Sequence, residues 1–179
     1  PPLIIRNLRV LFRFSYPYAV DLRDVVNVLN DLGYSVRAEL QTVPPGSTVL
    51  GSVTAVKGDV AVTFDTLSGN VAFFVKSVEG VRTVTDELDE ITKRIYLGRV
   101  VLVEISLEAL MNGELKAGDG VVGIEIVKGK RDVKVTPYYA LKGSYVVLVT
   151  YKLEDLREID EALSDLGKGL EELNAMGLS

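Results

Sequence analysis

Apolar and polar residues alternate over residues 8–15. Leu8, Val10, Phe12 and Phe14 fall on one side, and Arg9, Leu11, Arg13 and Ser15 on the other. A period of two marks a strand with one face turned inward. The pattern then changes. Asp21 precedes Leu22, Val25, Val26, Leu29 and Leu32, which are spaced as the buried stripe of a helix, and Gly33 follows where a helix stops. Strands are predicted over 34–43, 48–56, 60–65 and 71–77. They are parted by Pro44-Pro45-Gly46, Lys57-Gly58-Asp59 and Ser68-Gly69-Asn70. A helix over 83–96 turns Val84, Leu88, Ile91 and Ile95 inward.

The second half runs similarly. A strand is predicted over 99–106, then a short helical turn over 107–111 where the first half has a full helix. Loops form at Asn112-Gly113 and Ala117-Gly118-Asp119-Gly120. Strands follow over 121–127, 131–136 and 145–151, and a long helix over 154–176 closes the chain.

A passage is written twice. Val53-Thr54-Ala55-Val56-Lys57-Gly58-Asp59-Val60-Ala61-Val62-Thr63 matches residues 124–136, with Lys130 and Arg131 taken as an insertion in the turn. Leu67-Ser68-Gly69-Asn70 then matches Leu141-Lys142-Gly143-Ser144. Such self-similarity implies an internally duplicated domain. The expected fold class is α+β: one pseudo-symmetric domain over 1–179, with halves 1–97 and 98–179. Its curved antiparallel sheet carries the helices on one face. The order is β-α-β-β-β-β-α followed by a shorter β-α-β-β-β-α. That order is similar to the TATA-binding-protein-like fold, also a duplicated unit, as a likeness of topology alone. The paired intercalating phenylalanines by which such proteins kink DNA are not evident.

Composition narrows the chemistry. The chain has no cysteine and no histidine. Thiolate nucleophiles, disulfides, Cys- or His-based metal sites and His-dependent triads are thereby excluded. No catalytic, cofactor-binding or metal-binding residue is singled out, and no cofactor is expected. One Gln (Gln41), two Met and no Cys fit a thermophile's avoidance of labile side chains. No apolar run is long enough for a membrane span and the start lacks a signal-peptide layout, so a cytoplasmic protein is expected. A net charge of −5 disfavours unselective binding to nucleic acid.

Four surfaces stand out. The first is the sheet face away from the helices. It is expected to carry Arg9, Arg13, Thr63, Asp65, Phe74 and Lys76 in the first half. In the second it carries Val100, Leu102, Glu104, Glu125, Lys134, Val146 and Leu148, with an apolar cluster that reads as an interface. The second is the last helix, where Leu156, Ile159, Leu163, Leu166, Leu170 and Leu173 recur three and four apart. That stripe serves either a partner helix or the chain's own sheet. Gly167 and Gly169 there would admit another backbone closely. The third is a basic hairpin for nucleic acid or another anion: Lys128, Lys130, Arg131, Lys134 and Lys142, with Tyr138 and Tyr139 for stacking. The fourth is a set of carboxylates. Glu104 and Glu125 lie in apolar strands, and Glu104 is expected to pair with Arg13 across the pseudo-twofold axis. Asp86-Glu87-Leu88-Asp89-Glu90 reads as acidic first turns of a helix. Tyr16-Pro17-Tyr18 reads as a pocket wall or a strand-end turn.

These features favour a non-catalytic binding or assembly protein, a homodimer joined through the sheet face (Val146, Leu148) or the last helix. A nucleic-acid-binding module using the 128–142 hairpin and a small-molecule binder or carboxylate enzyme are the alternatives.

Overall fold

The computed structural model describes residues 3–16, 20–43, 48–65 and 68–179. Among these residues nine strands form one antiparallel sheet: β1 (Ile4–Phe14), β2 (Ser35–Val43), β3 (Thr48–Lys57), β4 (Val60–Asp65), β5 (Asn70–Phe74), β6 (Val100–Asn112), β7 (Ile124–Lys128), β8 (Arg131–Pro137) and β9 (Ser144–Leu153). Their order is β2-β3-β4-β5-β1-β6-β9-β8-β7. Three α-helices are present among the described residues: α1 (Leu22–Asp31), α2 (Val78–Thr92) and α3 (Ile159–Ala175). The fold is therefore α+β, as expected. Tyr18 and Pro17, the Pro44-Pro45-Gly46 break and Leu67 lie outside the described residues.

The predicted parity of the strands holds except at Val100, which a register shift between Arg13 and Phe14 sets opposite Phe14 and against the core instead of on the open face. Val10, Phe12, Phe14, Val62, Phe64, Val71, Phe73 and Val75 are all buried, in one core with the inward residues of the three helices. Phe12 and Phe73 meet edge to face, with centroids 5.9 Å apart, where β1 pairs with β5. Fully burying one such side chain contributes about 1.5–3 kcal/mol. Helix α1 begins where Asp21 accepts a hydrogen bond from the Arg23 amide at 2.9 Å, and it packs on β2 and β3. Helix α3 packs on β8 and β9.

Several boundaries differ from the sequence reading. No helical turn occupies 107–111: β6 runs on to Asn112, because Leu107, Ala109 and Met111 are buried and alternate with Glu108 and Leu110. The second half is therefore β-β-β-β-α. Helix α2 starts five residues early, since Ser77 accepts from the Gly80 amide at 3.1 Å and caps it. The final helix is preceded by a separate 3-10 turn, Leu156–Glu158, capped by Asp155.

The two similar hairpins also align differently. Lys57 pairs with Val60 and Lys128 with Arg131, so both turns hold two residues, Gly58-Asp59 and Gly129-Lys130. Each turn opens with a glycine at positive φ, +59° and +58°, which a two-residue hairpin turn of this kind requires. There is no insertion: Arg131 takes the place of Val60.

Candidate functional site

Among the described residues no helix packs over the side of the sheet opposite the core. Leu11 on β1, Leu102 and Leu110 on β6, and Val146 and Leu148 on β9 are half-buried there. The strand register makes them neighbours. Leu110 stands opposite both Val146 and Ile4, and Leu148 stands opposite Glu108 and Lys134. Ile4 is 54% exposed. Ile4, Leu110, Val146 and Leu148 thus form a continuous apolar run across three strands.

Charges border that run in stripes of opposite sign. Strand β1 carries Arg6, Arg9 and Arg13, and the adjacent β6 carries Glu104 and Glu108. Arg9 Nη2 lies 2.8 Å from Glu104 Oε1, and Arg6 Nη1 lies 3.9 Å from Glu108 Oε1. The expected Arg13–Glu104 pair does not form. Arg13 stands opposite Leu102 and donates to Asn70 Oδ1 at 3.3 Å, while Arg9 is near enough to take Glu104. Glu125, exposed on β7, stands opposite Lys134.

The leucine stripe of α3 faces inward. Ile159, Leu163, Leu166 and Leu173 are buried in the core, and Leu156 and Leu170 pack against it. Gly169 does admit a close neighbour, but it is a side chain: a β-carbon there would lie 3.0 Å from Arg131 Cδ. Gly167 faces open space.

Beside that stripe runs an acidic one. Glu158, Asp165 and Glu172 are spaced by seven and turn toward the β7–β8 hairpin. Lys130 pairs with Glu158, and Lys128 Nζ lies 2.9 Å from Glu172 Oε1. Arg131 is 3% exposed, with Nη1 3.1 Å from Asp165 Oδ2 and Nη2 3.1 Å from Glu172 Oε1. Tyr151 donates to Asp165 Oδ2 at 2.8 Å. Burial, then the Asp165 carboxylate, raises the Tyr151 hydroxyl's pKa well above its ordinary value. Lys128 holds Glu172 low, and Lys130 holds Glu158 low. Between hairpin and helix lies a cleft of about 380 Å³, lined by Lys130, Tyr151, Leu153, Glu161, Ser164 and Lys168 among others.

The seven residues of the basic patch are not brought together. Lys128 and Arg131 meet α3 and Lys130 meets the 3-10 turn before it, while Lys134 lies on the open sheet face. Tyr138, Tyr139 and Lys142 sit beyond the far end of β8, a strand of about 20 Å. Tyr139 is 91% exposed, and Arg6 stacks over the Tyr138 ring at 5.3 Å.

The first half holds a related arrangement that the sequence reading missed. Lys57 Nζ lies 2.9 Å from Glu87 Oε2 and 4.6 Å over the Tyr34 ring, and Tyr34 donates to Glu87 at 2.5 Å. Glu87 belongs to the acidic run 86–90. That run lies in the middle and last turns of α2, so helix-dipole compensation in first turns does not explain it. Among the described residues no cluster of acidic side chains could hold a metal ion. The heptad spacing of Glu158, Asp165 and Glu172 was the sequence signal that could have found the hairpin's partners.

Among the described residues no helix is long and apolar enough to cross a membrane. Comparison with protein-family models and with curated proteins finds no match.

Proposed function

We propose that this is a non-catalytic assembly protein that associates with a second copy of itself through the open sheet face. The observation that carries the reading is the apolar run of Ile4, Leu110, Val146 and Leu148, over which no helix packs among the described residues, bordered by stripes of opposite charge. Uncovered apolar surface of this kind marks interfaces. The charge pattern suits a second copy. A twofold axis along the β1–β6 boundary lays the Arg6, Arg9 and Arg13 strand of one copy over the Glu104 and Glu108 strand of the other. Replacing Leu148 with Asp tests the reading: association through this face should be lost while the fold persists. A variant that associates as the parent does overturns it.

The same proposal treats the chain as a duplicated unit with a TATA-binding-protein-like topology. The sheet order supports this, since β1 and β6 pair at the centre and each is flanked by the last strand of its own half. The hairpins support it too: Lys57–Glu87 in one half is matched by Lys128–Glu172 in the other, both at 2.9 Å. Nucleic-acid binding through the hairpin has less support, because Lys128, Lys130 and Arg131 are already engaged by carboxylates.

A further inference from the structure

Counted outward from the central β1–β6 pair, β3 and β7 hold the same rank, third from the centre. Their surroundings differ. Strand β3 is paired on its outer side by β2, and α1 packs across both. Strand β7 ends the sheet, and the packing of α3 falls on β8 and β9. On the helix side of β7, Ile124 and Ile126 remain only half-buried; on the other side Val127 is 64% exposed. Of the devices that guard natural edges, the strand has a short length and the charges of Glu125 and Lys128, but neither a proline nor a bulge.

We propose that β7 is a second, independent contact, where two copies pair edge to edge about a twofold axis perpendicular to the sheet at Ile126. The occupant is a second copy because the sequence of β7 complements itself in that register. All five residues pair. Ile126 meets Ile126 of the other copy on the helix side, and Ile124 meets the stem of Lys128. On the opposite side Glu125 stands across from Val127, so no like charges face each other. Moving the axis one residue toward the N-terminus sets Glu125 against its own copy, which is unfavourable. The pairing gives β7 the outer neighbour that β2 provides for β3. Taken alone it is isologous and closes at two copies; alongside the sheet-face contact it links such pairs further.

The test reads amide hydrogen exchange of residues 124–128 at low and high protein concentration, beside the association constant of three variants. Pairing slows exchange across β7 as concentration rises. Val127→Glu sets two like-charge pairs against Glu125 and weakens association by roughly tenfold; Val127→Lys sets opposite charges there and does not weaken it. Leu148→Asp leaves the β7 protection intact. A dimer whose β7 amides exchange equally fast at every concentration, and which responds to Leu148→Asp but not to Val127→Glu, overturns the edge contact and keeps the face. Protected β7 amides together with an inert Leu148→Asp keep the edge and overturn the face. A monomer at every concentration overturns both.

Discussion

Arg131, with 3% of its side chain exposed, holds Nη1 3.1 Å from Oδ2 of Asp165. This pair ties the second hairpin to the last helix from beneath. A buried cation is costly without its partner, whereas a buried pair replaced by well-packed apolar groups is often neutral. Asp165→Asn is therefore expected to lower stability by about 1–3 kcal/mol, the lesser end applying because Glu172 stays in place. Arg131→Met should cost less than Asp165→Asn. Urea denaturation of the two variants checks the order, and the reverse order would contradict it.

Two glycines of α3 should respond oppositely to the same change. Gly167→Ala meets nothing within 4 Å and removes a poor helix former, so a gain of about 1 kcal/mol is expected. At Gly169 the new methyl would sit 3.0 Å from Arg131 Cδ and 3.3 Å from Nε, atoms fixed by the ion pairs. Gly169→Ala should therefore show no gain or a loss, and Arg131→Met should restore the gain. Thermal midpoints of the parent, Gly167→Ala, Gly169→Ala, Arg131→Met and Arg131→Met/Gly169→Ala decide this; equal gains at both glycines would show that Arg131 yields freely.

These features explain what was legible in the chain. The strand faces were, because a period of two fixes which residues share a side and burial follows from that alone. The leucine stripe of α3 was visible, but heptad spacing looks the same whether the stripe meets a partner or the chain's own sheet. The hairpin alignment failed because matching Asp59 to Asp132 requires an insertion, whereas turn geometry requires two residues headed by glycine. That shift turned Arg131 from a surface cation into a buried one. The acidic partners Glu158, Asp165 and Glu172 were in plain sight at intervals of seven, but pairing them with a hairpin needed the third dimension. In residues 107–111, Leu107, Ala109 and Met111 carry the strand period, which outweighs the helical propensity of Leu, Glu, Ala and Met there.

Alkaline pH should weaken the fold through Tyr34 and Tyr151. Burial and a neighbouring carboxylate raise both hydroxyls well above the ordinary value of 10.0. Above pH 10 the unfolded chain releases these protons while the native one keeps them, so stability falls as pH rises. Their contribution is whole below pH 10 and is lost from there upward. The Tyr34→Phe/Tyr151→Phe double variant should lose less stability than the parent between pH 9 and pH 11, as read by denaturation at each pH. Equal losses would contradict the assignment.

At the acid end Asp155 matters. The Arg157 side chain and amide lower its carboxyl from 3.8 to about 2, and Asp155 caps the 3-10 turn leading into α3. The unfolded chain takes up this proton first. The stabilisation is therefore present above about pH 4 and lost as pH falls toward 2. Asp155→Asn should flatten the stability profile across that window in acid titrations followed by circular dichroism. An unchanged profile would show that other carboxylates dominate.

Sedimentation equilibrium on the parent chain and on Leu148→Asp, over a hundredfold range of concentration, is the most direct measurement. Docking through the open sheet face predicts a mass that rises from monomer to dimer or beyond for the parent, with weaker assembly of the variant at unchanged secondary structure. A parent that stays at 19.5 kDa throughout, or a variant that assembles as readily, contradicts it.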